Sequence, residues 1–446
     1  MMPAAELFDF SSDDALGQSA HDLAARLWPI NRSLTGPGVV ETLNILAEDL
    51  PALTLHTVPS GTQAFDWIVP QEWRVNAAYL IAPDGTKLCD FAENNLHLVG
   101  YSQPMQGQMS LDDLQPHLHS LPDQPDAIPY VTSYYGKAWG FCLNQKQRDA
   151  LSDGTYQVVI DTEHFDGVLT YADLVLPGET TDEVLISTYI CHPSMANNEL
   201  SGPVVSHALA RIVAAQPRRR YTYRFVFVPE TIGALVYLSR NLQHLKTHVK
   251  AGFVMTCVGD ERARSFLPSR AGHTLADRAA RTALRGTAHD VYSFLQRGSD
   301  ERQYCAPGID LPVCSIMNSK YGTFPEYHTS HDDLNFVTPR GLAAAIGTHR
   351  SVFRILEQNS FPRITVLGEP QLGRRGLYSN LSKVGSAAGA MTMRNLLAYA
   401  DGQSDLIDLA NQLDVPFAEL AAVCALLSEH GLIRLSPEPC DPQDIG

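Results

Sequence analysis

Two histidines and a set of carboxylates recur at comparable points of four apolar runs. His192 follows the run Val184–Ile190, and Asn197, Asn198 and Glu199 come a few residues later. Glu230 closes the run Arg224–Pro229, and Asp260 follows Gly252–Val258. His328 lies in the loop after Leu311–Met317, together with Glu326, His331, Asp332 and Asp333. Imidazole nitrogens and carboxylate oxygens are the ligands of open catalytic metal sites, and a carboxylate beside such a site can act as general base. The residue types therefore point to a metal-assisted hydrolase.

The elements that must position them are legible in the same stretches. Val184–Ile190 is apolar, rich in β-branched residues and as long as one strand, which suits a strand buried on both faces of a parallel sheet. Pro193 ends it, and Ser201-Gly202-Pro203 opens a helical pattern carried by Val204, Val205, Ala208, Leu209 and Ile212. Open α/β sheets bind ligands beyond the carboxyl ends of their strands, where all these polar residues are expected.

The segments HPSMANNELSG, PETIG and YHTSHDDL, in this order, resemble the motifs of the zinc aminopeptidase superfamily over about residues 170–345. The whole chain is similar to a narrower bacterial group of aminopeptidase-like proteins. That group carries an inserted β domain and a C-terminal winged helix, and is often linked with surface-polysaccharide genes. The fold implied is α/β: a mixed sheet flanked by helices, with an inserted small β-rich domain and a C-terminal winged-helix domain.

Carried over position by position, the resemblance implies that His192 and His328 are metal ligands and that Glu230 is the general base. Other positions depart from the pattern. The bridging aspartate falls on Asn198 with Glu199 next to it, the second glutamate of the family's pair on Thr231, and a later aspartate on Thr256 with Asp260 four residues on. A neutral amide supplies no charge to offset the repulsion of two dications. One zinc ion rather than two is therefore expected, held by His192, His328 and a carboxylate from Glu199 or Asp260. Asn198, Asp300, Glu301 and His331 are expected to face the substrate, the two acids as receivers of a free amino group.

The chain has 446 residues with 33 Lys+Arg against 49 Asp+Glu, a formal charge of −16. Such an excess opposes nonspecific contact with nucleic acid or anionic lipid. The start does not read as a signal peptide, and no apolar run approaches membrane-spanning length. A cytoplasmic protein without membrane or nucleic-acid partners is the expectation. The eight cysteines show no knuckle or redox spacing and read as small core hydrophobes. A nucleophilic Cys191 is disfavoured, because adjacent strand residues point to opposite faces.

Three domains are expected: residues 1–64 with 162–364 as the peptidase-like α/β body, 65–161 as the inserted β-rich piece, and 365–446 as the winged helix. Residues 1 to about 15 are expected to be loosely held, followed by helices over His21–Trp28 and Gly38–Leu50. Trp67, Trp73, Tyr130, Tyr134, Tyr135 and Trp139 read as core of the β-rich piece, with a sugar or peptide cleft as the alternative. The last segment reads as three helices, over Met393–Tyr399, Ser404–Leu413 and Pro416–His430, and a strand from Gly431. From residue 365 onward there are five Lys+Arg against ten Asp+Glu, too few for a DNA-reading face. That favours a protein contact, a homo-oligomer contact or a lid.

Three functions stay open at this point. One is a metal-dependent amide hydrolase acting on a small peptide, an aminoacyl conjugate or an amino-sugar conjugate. A second is an inactive aminopeptidase-like scaffold that binds partners through the winged helix. A third is a DNA-binding regulator with a peptidase-like sensor.

Overall fold

The computed structural model describes Phe8, residues 12–377 and residues 387–440. Two compact units emerge, one of residues 12–277 with 287–347, the other of Phe8 with 278–286, 348–377 and 387–440.

In the larger unit, helix α1 (Asp13–Leu27) begins at the Ser12 cap, eight residues before the expected start. The rest of the expectation of a loose start falls outside the described residues, apart from the buried Phe8. Helix α2 (Pro37–Ala47) has proline in its first turn, where the missing N–H costs nothing. The strands that follow are β1 (Thr54–Pro59), β2 (Glu72–Ile81), β3 (Met105–Ser110), β4 (Thr155–Phe165), β5 (Val168–Leu176) and β6 (Glu183–Tyr189). Helix α3 (Ser201–Ala214), β7 (Thr222–Val228), α4 (Ile232–His248), β8 (Val249–Val254), β9 (Ser265–Leu267), β10 (Asp290–Val291) and β11 (Val313–Met317) come next.

One mixed eight-stranded sheet has the order β1-β5-β7-β6-β8-β11-β9-β10. Strands β7, β6, β8 and β11 run parallel, so their carboxyl ends share one edge. Every residue of β6 and of β7 is buried, as the unbroken apolar runs require of strands covered on both faces. Strand β8 stops at Val254, four residues before the expected end. Met255 to Val258 therefore leave the sheet, with Cys257 at φ 52°.

A second sheet joins β2, β3 and β4 to the short Lys87–Leu88 strand. Trp73 fills its core, stacked on Tyr101 at 5.3 Å between ring centroids and donating its indole N–H to the Ser102 carbonyl at 3.1 Å. Trp67 and Tyr135, read as core in the sequence, are instead exposed and meet edge to face. From the same region a short segment reaches the loop of His328. The Pro129 backbone bridges to Thr329, and the Ser330 amide donates to the Ile128 carbonyl at 2.8 Å.

The smaller unit is a winged helix. Helices α5 (Ala387–Tyr399), α6 (Leu406–Gln412) and α7 (Phe417–Glu429) accompany an antiparallel pair of strands, Phe361–Ile364 and Ile433–Ser436. The cap of α6 is Asp405, whose side chain accepts from the Asp408 amide at 3.0 Å, not the expected Ser404. Among the described residues no single helix is long and apolar enough to cross a membrane.

Candidate active site

The carboxyl ends of β6, β7 and β8 and the loop after β11 converge. Just beyond β6, His192 is buried, and its Nδ1 lies 2.8 Å from Glu199 Oε2. That contact fixes the proton on Nδ1 and turns the Nε2 lone pair outward. Glu199 sits on a single π-helical turn, Ala196–Leu200, all of it buried. The backbone donors of this turn are taken by Asp332, whose carboxylate accepts from the Asn197 and Asn198 amides at 2.6 and 2.9 Å. The loop after β6 and the loop of His328 are thereby tied together.

Glu230 follows β7. Its Oε2 is 3.7 Å from His192 Nε2, and 22% of its side-chain surface is exposed. The next residue, Thr231, has φ 62° and ψ −75°, and the Ile232 amide donates back to the Glu230 carbonyl at 2.8 Å. This is a γ-turn of the rare, strained kind, costly for a β-branched residue. It is held by the Asp300 carboxylate, which accepts from the Thr231 amide at 2.8 Å. Strain kept in place by such contacts is commonly found where a side chain must be aimed.

His328 also has a left-handed backbone, φ 58°. Its ring stacks on Tyr327 at 3.9 Å and lies 5.7 Å from the ring of His192. Tyr130 packs at 5.2 Å from each histidine. Its hydroxyl bonds that of Tyr134.

The structure thus brings His192, Glu199, Glu230 and His328 together. Asp300 and Glu301 lie alongside, fully buried, with Oδ2 and Oε2 lacking partners among the described residues. Asn198 faces neutral groups: the Tyr189 hydroxyl is 2.9 Å from its Oδ1 and 2.6 Å from Thr256 Oγ1.

Asp260 departs from its expected role. Its two oxygens take four hydrogen bonds, from Asn197 Nδ2, the Ser319 amide, Ser319 Oγ and the Arg262 amide. A carboxylate has about four in-plane acceptor positions, so this one is a structural pin. Glu199 likewise spends its oxygens on His192 and on Arg32, whose Nε is 3.5 Å from Oε1. His331 is exposed, with only its backbone N–H engaged, by Thr329 Oγ1.

The electrostatics separate the two imidazoles. Burial would depress His192, but the Glu199 hydrogen bond and the charges of Glu199 and Glu230 outweigh it and raise its pKa. Burial, then the nearby His192, pushes His328 down to about 3, so it is neutral. Burial raises Glu230, against the opposing charges of His192 and Arg302. Burial and then the Glu230 charge hold Asp300 well above the carboxylate range.

Sequence reasoning passed over Arg32 and Tyr189 as site residues, named Tyr130 as core with a cleft as the alternative, and named Asp332 only among the acids of its loop. Nothing in the pattern marked Arg32.

Residues 21–359 match the family described as "Domain of unknown function (DUF4910)", and residues 360–435 match a winged helix-turn-helix family. The chain belongs to the first of these families. A Clostridium acetobutylicum protein, described as a candidate polysaccharide biosynthesis protein with an aminopeptidase-like domain, is 40% identical over 94% of this chain and 96% of its own. A crystal structure of a candidate peptidase from the same organism superposes with a TM-score of 0.90 at 40% identity, covering 95% of this chain and 97% of that one. The zinc aminopeptidase BSAP from Bacillus subtilis shares the fold, with a TM-score of 0.55 at 12% identity over 75% of this chain and 93% of that one.

Whether zinc suits these residues can be tested on their hydrogen bonds. His192 Nε2 is free of hydrogen bonds, and among the described residues none reaches the ring of His328. The two rings lie 5.7 Å apart between centroids with the Glu230 carboxylate beside His192, a looser grouping than one whose ligand atoms all lie within 4.8 Å. A second ion finds neutral Asn198 and Thr256, already joined to Tyr189, where carboxylates would be needed. On the other side of the His192 ring, Cys191 Sγ, His192 Nδ1 and a Glu199 oxygen lie within 4.8 Å of one another. That cluster already faces the Arg32 guanidinium, whose charge opposes a cation.

Proposed function

We propose that the protein is a single-zinc amide hydrolase of aminopeptidase type. In this reading His192 and His328 would hold the ion, which when bound would supply Lewis acidity toward a scissile carbonyl and a water of lowered pKa. Glu230 takes the proton of the attacking water and passes it to the leaving amine. The oxygens of Asp300 and Glu301 without partners suit a free ammonium on the substrate. The observation that carries the reading is the 3.7 Å approach of Glu230 to His192 Nε2, with the second imidazole alongside. The C. acetobutylicum relative's name adds peptide or amino-sugar conjugates of surface polysaccharide metabolism to the substrates to be tried. The experiment is metal analysis of the purified chain, with release of amine from aminoacyl anilides and from N-acylated amino sugars. About one zinc per chain and turnover of the free-amine anilides is the expected result. No zinc at neutral pH would overturn it.

The neutral cluster of Tyr189, Asn198 and Thr256 favours a second reading. It proposes a scaffold that has lost hydrolysis and binds its ligand in the same cleft, with the winged helix making protein contacts. Zinc-free protein that binds but never cleaves aminoacyl compounds is its signature.

A further inference from the structure

Arg32 is among the most deeply buried charged side chains of the protein, at 1% exposure, although it comes from a loop between two helices far from the motifs. It makes two contacts with one residue's surroundings. Its Nε donates to the backbone carbonyl of His192 at 3.2 Å, and the same Nε is 3.5 Å from Glu199 Oε1. Glu199 Oε2 in turn takes the Nδ1 proton of His192. A third contact, from Nη1 to the Leu27 carbonyl at 2.7 Å, anchors the guanidinium to the end of α1.

We infer that Arg32 is a positioning residue for His192, acting on its backbone directly and on its ring through Glu199. A buried carboxylate needs a cationic partner to keep its place, and among the described residues Glu199 Oε1 has no closer one than this guanidinium. Held there, Glu199 sets its other oxygen 2.8 Å from Nδ1 as an acceptor, so the imidazole presents N–H at Nδ1 and a lone pair at Nε2. Outer partners that fix the tautomer of a ligating histidine in this way commonly govern metal affinity. The inference rests on His192 being the zinc ligand proposed above, but its geometry belongs to the protein alone.

The test uses the full chain, labelled with 15N-histidine and stripped of metal, with the His192 ring assigned by His192→Gln. At a pH high enough for the ring to be neutral, the ring nitrogens of the parent protein should report one tautomer, protonated at Nδ1. Arg32→Met and Glu199→Gln should each yield a mixture of tautomers, and should weaken zinc about 10- to 100-fold in competition with a chromophoric chelator. The double variant should be no weaker than the worse single one, because both substitutions break the same chain. An unchanged tautomer in Arg32→Met, or losses that simply add, would overturn the inference. If Arg32→Met does not fold, Arg32→Gln, which also removes the charge, is read in its place and must show the same mixture. A parent protein that holds the Nδ1 tautomer but binds no zinc would overturn the proposed hydrolase and leave the role of Arg32 standing.

Discussion

The backbone amide of Tyr130 donates to the carbonyl of His328 at 2.8 Å. A segment remote in sequence from the histidine motifs thus sets one of the two histidines. It also inserts an aromatic ring against both of them.

That relationship predicts how the two halves of the tyrosine divide. Tyr130→Phe removes the hydroxyl bond to Tyr134 and should cost about 1 kcal/mol. Tyr130→Ala removes the ring packed on His192 and His328 and should cost about 2–3 kcal/mol. Denaturant unfolding of the two variants measures both. Equal losses would mean that the ring contacts contribute nothing.

Glu230→Gln keeps the shape of the side chain and abolishes its basicity. If Glu230 is the proton carrier, hydrolysis should fall by about 10²- to 10⁴-fold, with bound zinc unchanged. Rate and metal content must be measured on the same sample. Loss of the metal together with the activity would make Glu230 a ligand instead.

The pH profile should show where Glu230 titrates. Burial raises its pKa, and the base works only when ionised, so kcat/KM should rise with pH through a limb above the ordinary glutamate value. The Arg302 charge opposes that shift, and Arg302 reaches the same turn through Thr231 Oγ1 at 3.0 Å. Removing the cation disfavours the carboxylate, so Arg302→Gln should move the acid limb to higher pH. A limb that stays put, or moves down, would show that another group is being titrated.

What the sequence revealed follows from how local each signal is. The strands β6 and β7 were legible because burial on both faces demands unbroken apolar runs. His192, Glu230 and His328 were legible because strand ends and motif order place them. The role of Glu199 was not: from sequence it was a ligand, and only tertiary packing puts a guanidinium behind it and an imidazole in front. Asp260 fails for a related reason, since β8 ends at Val254 and the freed chain folds the acid onto Ser319 and Asn197. The γ-turn at Thr231 could not be foreseen, because no residue preference marks a conformation that all side chains avoid.

The winged helix carries the last prediction. In a helix-turn-helix the second helix enters the major groove and lysines or arginines neutralise phosphates. Here that helix is α7, FAELAAVCALLSE, without a single basic residue. Its exposed positions include Ala418, Glu419, Ala422, Leu426 and Glu429. The turn before it is occupied as well: Arg285 pairs with Asp414 and donates to the Val415 carbonyl at 3.1 Å. Arg278 is spent in the same way on Asp405 and Asp408. Arg278 and Arg285 therefore face acids of the motif itself. Mobility-shift titrations with random duplex DNA at about 50 mM salt, where phosphate contacts are strongest, should show no complex at micromolar protein. A complex that weakens steeply as salt is raised would restore the regulator reading and assign the phosphate contacts to surfaces other than α7.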